Sequence, residues 1–301
     1  MTAMDTRVPR HYAGARVALA YGQARVLPPL SGGVPTGWAA GRWSVLSPGT
    51  ERRHLTGPPR EAGYMTLGRR SDQERWALAP VPHGAVFDPV CPGAVVVPAG
   101  VSIQVAAVAR FQQIAVLGLS RIPAGVDIDN AVVVGSGPIA LGCVLELHRR
   151  GATAVRVVTA RRLTSIATMT YVRRVSAADL GTAPLVIDAA GAPRRAAGLL
   201  SPGGILGLLG TPIAEESISA LAAHRGGWTV LGMHELAPAA PGGYQSAYTA
   251  AVTWLAGHID RALVESWCRI VPGRRAPEIY RLLDSPERPA EPVVLFDWET
   301  S

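Results

Sequence analysis

The chain has 301 residues, a hydrophobic fraction of 48% and a formal net charge of +7, which allows a sizeable core and more than one domain. It contains no lysine, and this excludes Schiff-base chemistry, a Gly-Lys-Ser/Thr phosphate loop and a Tyr-x-x-x-Lys reductase pair. Its 3 cysteines form no Cys-x-x-Cys pair, so the sequence indicates neither a disulfide framework nor a thiolate zinc site.

The positive net charge favours an anionic partner. The arginine pairs are scattered, however, and no aromatic residues are interleaved with them, so we do not expect nucleic-acid binding. The N-terminus has no apolar signal segment, and the longest uncharged runs, 89–109 and 196–214, are interrupted by Pro and Gly. We expect these runs to be buried strands and loops rather than membrane spans, and the protein to be soluble and cytoplasmic.

Residues 1 to about 105 are predicted to form a β-rich region. Short apolar runs alternate there with Pro/Gly turns such as Ser47-Pro48-Gly49, which is typical of strands joined by tight turns. The predicted strands include residues 17–19, 43–46, 76–78 and 94–97. A predicted helix over 105–119 then leads into the centre of the chain.

The centre alternates predicted strands with predicted helices, a pattern that indicates a parallel, doubly wound sheet. The predicted strands are 131–134, 155–158, 185–188, 205–209 and 228–231, and the helices are 138–150 and 194–200. The tail adds helices over 247–256 and 276–283 and a last strand, 292–296, that we expect to return to the first domain. The predicted domains are therefore 1–108 completed by 258–301, and 109–257.

A glycine turn follows the first central strand, in the run Val-Val-Val-Gly-Ser-Gly-Pro-Ile-Ala over residues 132–140. The first glycine allows the tight turn, the second allows the backbone to approach a pyrophosphate, and Ala140 takes the helix-packing position. Pro suits the first helical turn, whose N–H groups face an anion. The run predicts a dinucleotide site formed by Gly135, Ser136, Gly137, Pro138 and Ile139.

The end of the second central strand indicates which nicotinamide cofactor is preferred. NAD sites usually place Asp or Glu about 20 residues after the turn, where it holds the ribose hydroxyls. This chain has Thr159-Ala160-Arg161-Arg162 instead, and arginine can bind a 2′-phosphate bidentately. We therefore predict NADP(H) rather than NAD(H), contacted by Thr159, Arg161 and Arg162. The alternative is that both arginines are merely solvated.

Several stretches resemble the medium-chain dehydrogenase/reductase superfamily, which contains the zinc alcohol dehydrogenases. The resemblance lies in residues 133–141 with Arg-Gly-Ala at 150–152, in 186–191, 200–205 and 208–210, and more weakly in 47–51 and 63–68. It implies an α/β fold in which a Rossmann domain, with a doubly wound parallel sheet, is joined to a GroES-like β-rich catalytic domain. It also implies cofactor contacts at Ala189 and Gly210, and a homodimer.

The chain departs from the zinc-dependent members at the metal site. Those members use Cys, His and a second Cys with a nearby Glu, whereas this chain has Ser47, Tyr64 and Met65 at matching positions and no four-cysteine lobe. Ser, Tyr and Met do not build a tetrahedral N/S site, so we expect no zinc. The Ser-x-Gly-Thr-Glu form resembles zinc-free branches, including bacteriochlorophyllide-type dehydrogenases and the dehydrogenases of daptide-type ribosomal peptide clusters.

Hydride transfer also requires a group that takes the proton of the hydroxyl, and without a Lewis acid this work falls on side chains. The candidates are Thr50, Tyr64 and His83, with Ser47 as a relay. His83 lies in a Pro-His-Gly loop, and imidazole is the natural base near neutral pH; the alternative is an ordinary loop histidine. Glu51 either orients the adjacent loop or is solvated. The pair Arg52-Arg53 either holds a substrate carboxylate or lies on the surface.

The predicted function is zinc-independent, NADP(H)-dependent interconversion of a hydroxyl and a carbonyl in specialised metabolism. The substrate is expected to be a small molecule or a peptide. The daptide-type resemblance implies a ribosomal peptide whose C-terminal threonine is oxidised to a ketone with loss of its carboxylate. Two rivals stay open: a quinone or enone reductase, and a non-catalytic nucleotide-binding subunit that docks on a biosynthetic partner enzyme.

Overall fold

The computed structural model describes residues 11–12, 14–29, 32–70, 72–161, 164–212, 217–235 and 243–299. In chain order the strands are β1 (His11–Tyr12), β2 (Arg16–Ala20), β3 (Gln23–Leu27), β4 (Ala39–Val45), β5 (Arg60–Glu61), β6 (Met65–Arg69), β7 (Trp76–Ala79), β8 (Ala85–Phe87), β9 (Val95–Val96), β10 (Ala131–Val134), β11 (Val155–Val158), β12 (Val172–Val175), β13 (Ala183–Asp188), β14 (Leu200–Leu208), β15 (Thr229–Gly232), β16 (Cys268–Pro272) and β17 (Val293–Asp297).

The α-helices are α1 (Pro48–Leu55), α2 (Ile103–Leu119), α3 (Pro138–Arg149), α4 (Ala177–Leu180), α5 (Pro193–Ala197), α6 (Ala220–Gly226), α7 (Tyr244–His258), α8 (Arg261–Ser266) and α9 (Ala276–Leu282), and short 3₁₀ helices span Ser165–Thr168 and Gly273–Arg275. No helix in the described part of the chain is long and apolar enough to cross a membrane.

The chain forms two compact units. The first unit comprises Met1–Gly100, Ile270–Arg288 and Val294–Ser301, and the second comprises Val101–Arg269 and Pro289–Val293. The sequence pattern predicts boundaries at 108/109 and 257/258 instead. The difference arises because α2 packs along its length on α3, α7 and α8, so the whole of α2 and the whole of α8 belong to the second unit.

The second unit is built on a six-stranded sheet in the order β12-β11-β10-β13-β14-β15. Every neighbouring pair is parallel, and β10 pairs with both β11 and β13. Successive strands are therefore added outward from β10 on one side and outward from β13 on the other. The boundary between β10 and β13 is the switch point at which doubly wound sheets bind their ligands. The predicted parallel, doubly wound sheet is confirmed.

Two details of this sheet differ from the prediction. β14 begins at Leu200, not at residue 205, because Leu200 pairs with Ala183 before a register shift lets Ile205 pair with Leu185. The helix predicted over 194–200 accordingly ends at Ala197. β12 was not predicted, since it is an edge strand whose Val-Arg-Arg-Val sequence buries only one residue fully.

The first unit contains an eight-stranded sheet with the path β1-β8-β4-β6-β7-β9, to which β17 adds beside β4 and β16 beside β17. A separate three-stranded sheet has the order β3-β2-β5. β17 runs antiparallel to β4, with Leu295 opposite Val45. The last strand thus lies in the first unit's sheet, as the sequence indicates.

The core of the first unit joins residues from both ends of the chain. Val17 and Leu19 of β2 are buried against Ile279 and Tyr280 of α9 and against Phe296 of β17, within one hydrophobic cluster. The C-terminal segment therefore completes this core rather than forming a separate element.

One predicted turn is wrong. Ser47-Pro48-Gly49 was expected to be a loop, whereas Ser47 is the N-cap of α1 and Pro48 is its first helical residue. Proline is favoured at that position because the N–H that it lacks has no partner within the helix. The local Pro-Gly signal is the same for a turn and for this kind of helix start.

Gly142 sets how closely α3 approaches α2, and its replacement tests that contact. A Cβ at Gly142 would lie 2.2 Å from the carbonyl oxygen of Phe111 and 2.6 Å from its carbonyl carbon. We expect Gly142→Ala to lower the free energy of unfolding by about 1–3 kcal/mol in chemical denaturation, the usual cost of overpacking. Gly257→Ala is the matched control, since Gly257 is an exposed residue of α7 with nothing within 4 Å of a Cβ. It should stabilise the protein by up to about 1 kcal/mol. Equal effects of the two substitutions would contradict this account of the helix contact.

Candidate functional site

The turn from β10 into α3 is held by backbone contacts. Gly135 has φ of +124°, a value that favours glycine, and its N–H donates to the carbonyl of Val158 at 2.9 Å. A Cβ on Gly135 would lie 3.3 Å from both the Cβ and the backbone nitrogen of Ala190. The turn therefore packs tightly against the ends of both neighbouring strands.

Gly137, unlike Gly135, faces open space. It is the N-cap of α3, no side chain caps this helix end, and a Cβ at Gly137 would meet nothing within 4 Å. The first N–H groups of a helix have no partner within the helix and carry a partial positive charge. Open space in front of uncapped N–H groups is the arrangement that a pyrophosphate requires.

Three predicted cofactor residues lie together at the end of β11. Ser136 and Thr159 are joined through their hydroxyl oxygens at 2.8 Å, and the Arg161 N–H donates to Thr159 Oγ1 at 3.1 Å. The Arg161 guanidinium donates to the carbonyl of Pro289. Ser136 is buried, so its hydroxyl ties the glycine turn to β11. Arg162, the remaining predicted contact, lies outside the described residues.

The ends of β13 and β14 form a close wall beside the turn. The buried Asp188 carboxylate accepts from the N–H groups of Ala190 and Ala192 at 3.0 and 3.1 Å, and its backbone carbonyl accepts from Gly210 N at 2.7 Å. Ala189 N donates to the carbonyl of Val134 at 3.0 Å. The predicted cofactor residues Ala189 and Gly210 thus lie at the same sheet edge as the glycine turn. In the sequence Asp188 is recognisable only as the end of a strand, and no local signal indicates that its carboxylate shapes this wall.

The predicted catalytic residues all belong to the first unit. Ser47 and Thr50 lie in the first turn of α1, and Tyr64 immediately precedes β6; all three are partly exposed. Their exposure is compatible with contact to a ligand.

His83 is placed differently from these three. Its exposed fraction is 0%, its Nδ1 lies 2.6 Å from Ser44 Oγ, and its Nε2 lies 3.1 Å from Glu51 Oε2 and 3.0 Å from the Tyr280 hydroxyl. Both ring nitrogens are occupied by groups of the same unit. The His83 ring therefore has no exposed surface in this structure, and its role as a base stays a prediction.

One proton arrangement satisfies this buried group of polar side chains. Trp298 Nε1 donates to Ser44 Oγ at 2.7 Å, which leaves the Ser44 hydroxyl to donate to His83 Nδ1. His83 Nε2–H and the Tyr280 hydroxyl then both donate to Glu51 Oε2. Burial raises the pKa of the Tyr280 phenol well above its ordinary value, and the neighbouring Glu51 carboxylate raises it further. Tyr280 therefore remains a donor to Glu51.

Glu51 connects this buried group to the start of α1. It is 1% exposed, which excludes the solvated alternative, and its Oε1 accepts from the backbone N–H of Ser47 at 2.8 Å. The carboxylate thus orients the helix end that carries Ser47 and Thr50. This is the orienting role that the sequence pattern leaves as one of two alternatives for Glu51. Arg52 makes a partly exposed ion pair with Asp284 at 3.4 Å.

The sequence resemblance sets Ser47, Tyr64 and Met65 against the Cys, His and nearby Glu of zinc-dependent dehydrogenases. Ser47 is the N-cap residue of α1, although its side chain makes no capping hydrogen bond; Tyr64 supplies a phenol, and Met65 is buried in β6. Within the described ranges, no three His, Cys, Asp or Glu side chains are grouped closely enough to hold a metal ion.

The buried hydrogen bond from Tyr280 is testable. Tyr280→Phe removes one donor from a carboxylate that has no access to water, so we expect a loss of about 1–3 kcal/mol in the free energy of unfolding. Tyr21→Phe is the matched control, because Tyr21 is 74% exposed and surface changes of this kind are usually within about 0.5 kcal/mol. Urea denaturation measures both. A Tyr280→Phe protein as stable as the control would show that the carboxylate does not depend on this donor.

Comparison with known proteins gives structural neighbours only. No family model matches the chain, and no curated protein matches it. An alcohol dehydrogenase from Thermotoga maritima is 13% identical with a TM-score of 0.70, and the match covers 94% of this chain and 99% of that one. The yhdH oxidoreductase from Salmonella enterica in complex with NADP is 17% identical with a TM-score of 0.66 and the same coverage, 94% and 99%.

A short chain alcohol dehydrogenase from E. coli complexed with NADH is 15% identical, with a TM-score of 0.64 and coverage of 94% and 99%. At these identities the likeness establishes the architecture. The predicted fold class, a Rossmann parallel sheet with a GroES-like β-rich domain, is confirmed, and the chain has the fold of these dehydrogenases.

Proposed function

We propose that the chain is a zinc-independent member of the medium-chain dehydrogenase/reductase superfamily and that it transfers a hydride between NADP(H) and a hydroxyl or carbonyl group in specialised metabolism. One observation carries this proposal: the uncapped N-terminus of α3 faces open space at Gly137, beside the switch point of the parallel sheet. This is where doubly wound folds hold the pyrophosphate of a dinucleotide.

The residues present fit that cofactor. The N–H groups of Ile139 and Ala140 would bind the pyrophosphate, and Gly137 would let the backbone approach it. The dinucleotide supplies the hydride acceptor or donor, which no side chain can provide. The role of this edge of the sheet is to bind and orient.

The proposed preference for NADP(H) is supported by charge at the end of β11. Residues 155–161 contain no carboxylate that would repel a 2′-phosphate. Thr159 Oγ1 is already bonded to Ser136 and to the Arg161 N–H, and the Arg161 guanidinium is anchored at this edge by the Pro289 carbonyl. Because similar structures hold either NADP or NADH, the fold accommodates both, and these side chains favour the phosphorylated form.

The proposed independence from zinc is supported by the donor set. Ser47 and Tyr64 offer hydroxyls where the zinc-dependent members have a thiolate and an imidazole, and Met65 offers a thioether in place of the nearby Glu. This set does not fit a tetrahedral zinc site. The nearby imidazole of His83 is engaged by Ser44 and Glu51. We therefore derive no step through a metal.

The proposed substrate is a β-hydroxy acid, in the form of a peptide that ends in threonine. Oxidation would break the carbinol C–H bond, with the bound dinucleotide supplying the hydride acceptor, and would pass the O–H proton to a side chain or water as the ketone forms. The resulting β-keto acid then loses carbon dioxide without further catalysis. The net charge of +7 favours a carboxylate substrate, and the partly exposed Ser47, Thr50 and Tyr64 are the proposed contacts.

Cofactor binding can be tested without a substrate. Gly137 has φ of −87°, which any residue adopts, so Gly137→Val should fold normally. Its side chain would occupy the space proposed for the pyrophosphate, and we expect NADPH affinity to fall by about 100-fold, equivalent to about 2.7 kcal/mol. Fluorescence titration measures the affinity and thermal unfolding measures the stability.

The same titration examines cofactor preference. Wild-type protein should bind NADPH more tightly than NADH, and Arg161→Asp should weaken NADPH binding while NADH binding changes little. Gly257→Ala serves as the control for both cofactors. Equal affinity of the wild type for NADPH and NADH would contradict the preference, and undiminished binding by Gly137→Val would contradict the site itself.

The reaction is tested by mass spectrometry on a threonine-ended peptide incubated with protein and NADP. We expect the product to have lost two hydrogens and one carbon dioxide, with one NADPH formed for each peptide converted. Prior treatment with a chelator should leave the rate unchanged. Binding of NADPH without any change in peptide mass would reject the substrate, and loss of activity on chelation that is restored by zinc would reject the metal-free mechanism.

A further inference from the structure

A buried group of charged side chains lies in the second unit, apart from every residue singled out in the sequence. Arg110 of α2 is 2% exposed. It donates to Glu235 Oε2 at 2.7 Å and Oε1 at 3.2 Å, and to Gln113 Oε1 at 2.6 Å. We call Arg110, Gln113, Glu235 and Tyr244 the Arg110 cluster.

Tyr244 completes the Arg110 cluster in a particular way. Its hydroxyl donates to Glu235 Oε2 at 2.8 Å and accepts a hydrogen bond from Arg110 Nη2. The Arg110 guanidinium carbon also lies 4.8 Å from the centre of the Tyr244 ring, within cation–π range. The phenol oxygen thus sits between a carboxylate that can take its proton and a permanent cation that stabilises the phenolate. The ring itself is partly exposed.

The Arg110 cluster lies beside the last strand of the parallel sheet. Glu235 follows the end of β15, and the intervening Met233 N–H donates to the carbonyl of Leu208 at the end of β14. The cluster therefore lies at the carboxyl edge of the parallel sheet, the edge that also carries the glycine turn after β10. Thr159 and Arg161 occupy this edge on one side of the switch point, and the cluster occupies it on the other.

Ligands of doubly wound sheets extend along this edge on both sides of the switch point. If the 2′-phosphate end of the dinucleotide lies at Thr159 and Arg161, its nicotinamide end extends in the opposite direction along the edge, toward the Arg110 cluster. This step rests on the proposed function. A side chain that exchanges protons and lies in that direction is suited to a hydroxyl undergoing oxidation.

We propose that Tyr244 is the proton-exchanging residue of this dehydrogenase. In oxidation, the carbinol C–H bond breaks and its hydride, with both electrons, passes to the oxidised nicotinamide. The O–H bond breaks, its electron pair forms the carbonyl, and its proton passes to the Tyr244 oxygen as the Tyr244 proton passes to Glu235. Glu235 then releases that proton to water, and reduction reverses each transfer.

Arg110 is a positioning residue in this scheme. A phenol needs a neighbouring cation to carry negative charge during the transfer, and reductases with a Tyr-x-x-x-Lys pair use lysine. This chain has no lysine, and the cation that contacts the Tyr244 hydroxyl is Arg110. Burial of Arg110 against Glu235 and Gln113 fixes the guanidinium beside the phenol, where its charge is least screened.

Chemical nitration tests the location of Tyr244 without any substrate. Tetranitromethane modifies the phenolate form of tyrosine, and peptide mapping identifies each modified residue. We expect Tyr244 to be nitrated in the free protein and protected by saturating NADPH. Tyr21, 74% exposed, should be nitrated equally with and without NADPH, whereas the buried Tyr248 should resist. Nitration of Tyr244 that is indifferent to bound NADPH would overturn the proposal.

Substitution then tests the chemistry. Tyr244→Phe should lower turnover of the threonine-ended peptide by between about 100-fold and 10,000-fold, with NADPH affinity nearly unchanged. Tyr248→Phe, on the same helix, removes only a hydroxyl that donates to the Ala106 carbonyl and should keep its turnover. Failure of the wild type to bind NADPH would reject the proposed function as a whole. Binding of NADPH together with full turnover by Tyr244→Phe would reject the role of Tyr244 alone.

Discussion

Close approach between backbones, at the carboxyl edge of the parallel sheet and where α3 meets α2, is the constraint on which the second unit depends. Gly135 must adopt a positive φ to turn from β10 into α3, and Gly142 must lack a side chain for α3 to reach α2. A Cβ on Gly210 would lie 2.6 Å from the nitrogen of Gly191, so the ends of β13 and β14 are equally tight. These contacts aim the N-terminus of α3 at the open space beside Gly137.

The two units contribute different physical properties. In the second unit, the sheet edge combines uncapped N–H groups with hydroxyl and guanidinium groups at the end of β11, which suits an anionic dinucleotide. In the first unit, a carboxylate, an imidazole and a phenol are buried together, and they hold the start of α1 in place through Ser47 N. A buried polar group of this kind is stable only when each member is bonded, which makes it a rigid support.

Every basic side chain that is charged at all ordinary pH values in this protein is an arginine, because the chain has no lysine. Arg149 and Arg150 both bind the fully buried Glu146 of α3, and this hydrogen bonding raises the pKa of Arg149 above its ordinary value. Arg150 also donates to the Leu119 carbonyl at 2.8 Å and so joins the ends of α3 and α2. Several donors in one planar group let a single side chain satisfy a carboxylate and a helix end together.

The sequence by itself determined the parallel sheet and the glycine turn that follows its first strand. Residues 131–134 and 155–158 are strands as predicted. The signal for a short buried strand lies in a few neighbouring apolar residues, so it can be recognised without knowledge of the tertiary structure. The start of α1 was mistaken for a turn, since Pro-Gly signals both. Tertiary structure alone decided that His83 is enclosed, through Glu51 at a separation of 32 residues. It alone joined Arg110 to Glu235 and Tyr244, at separations of 125 and 134 residues, because burial and pairing between distant residues arise only when the elements pack.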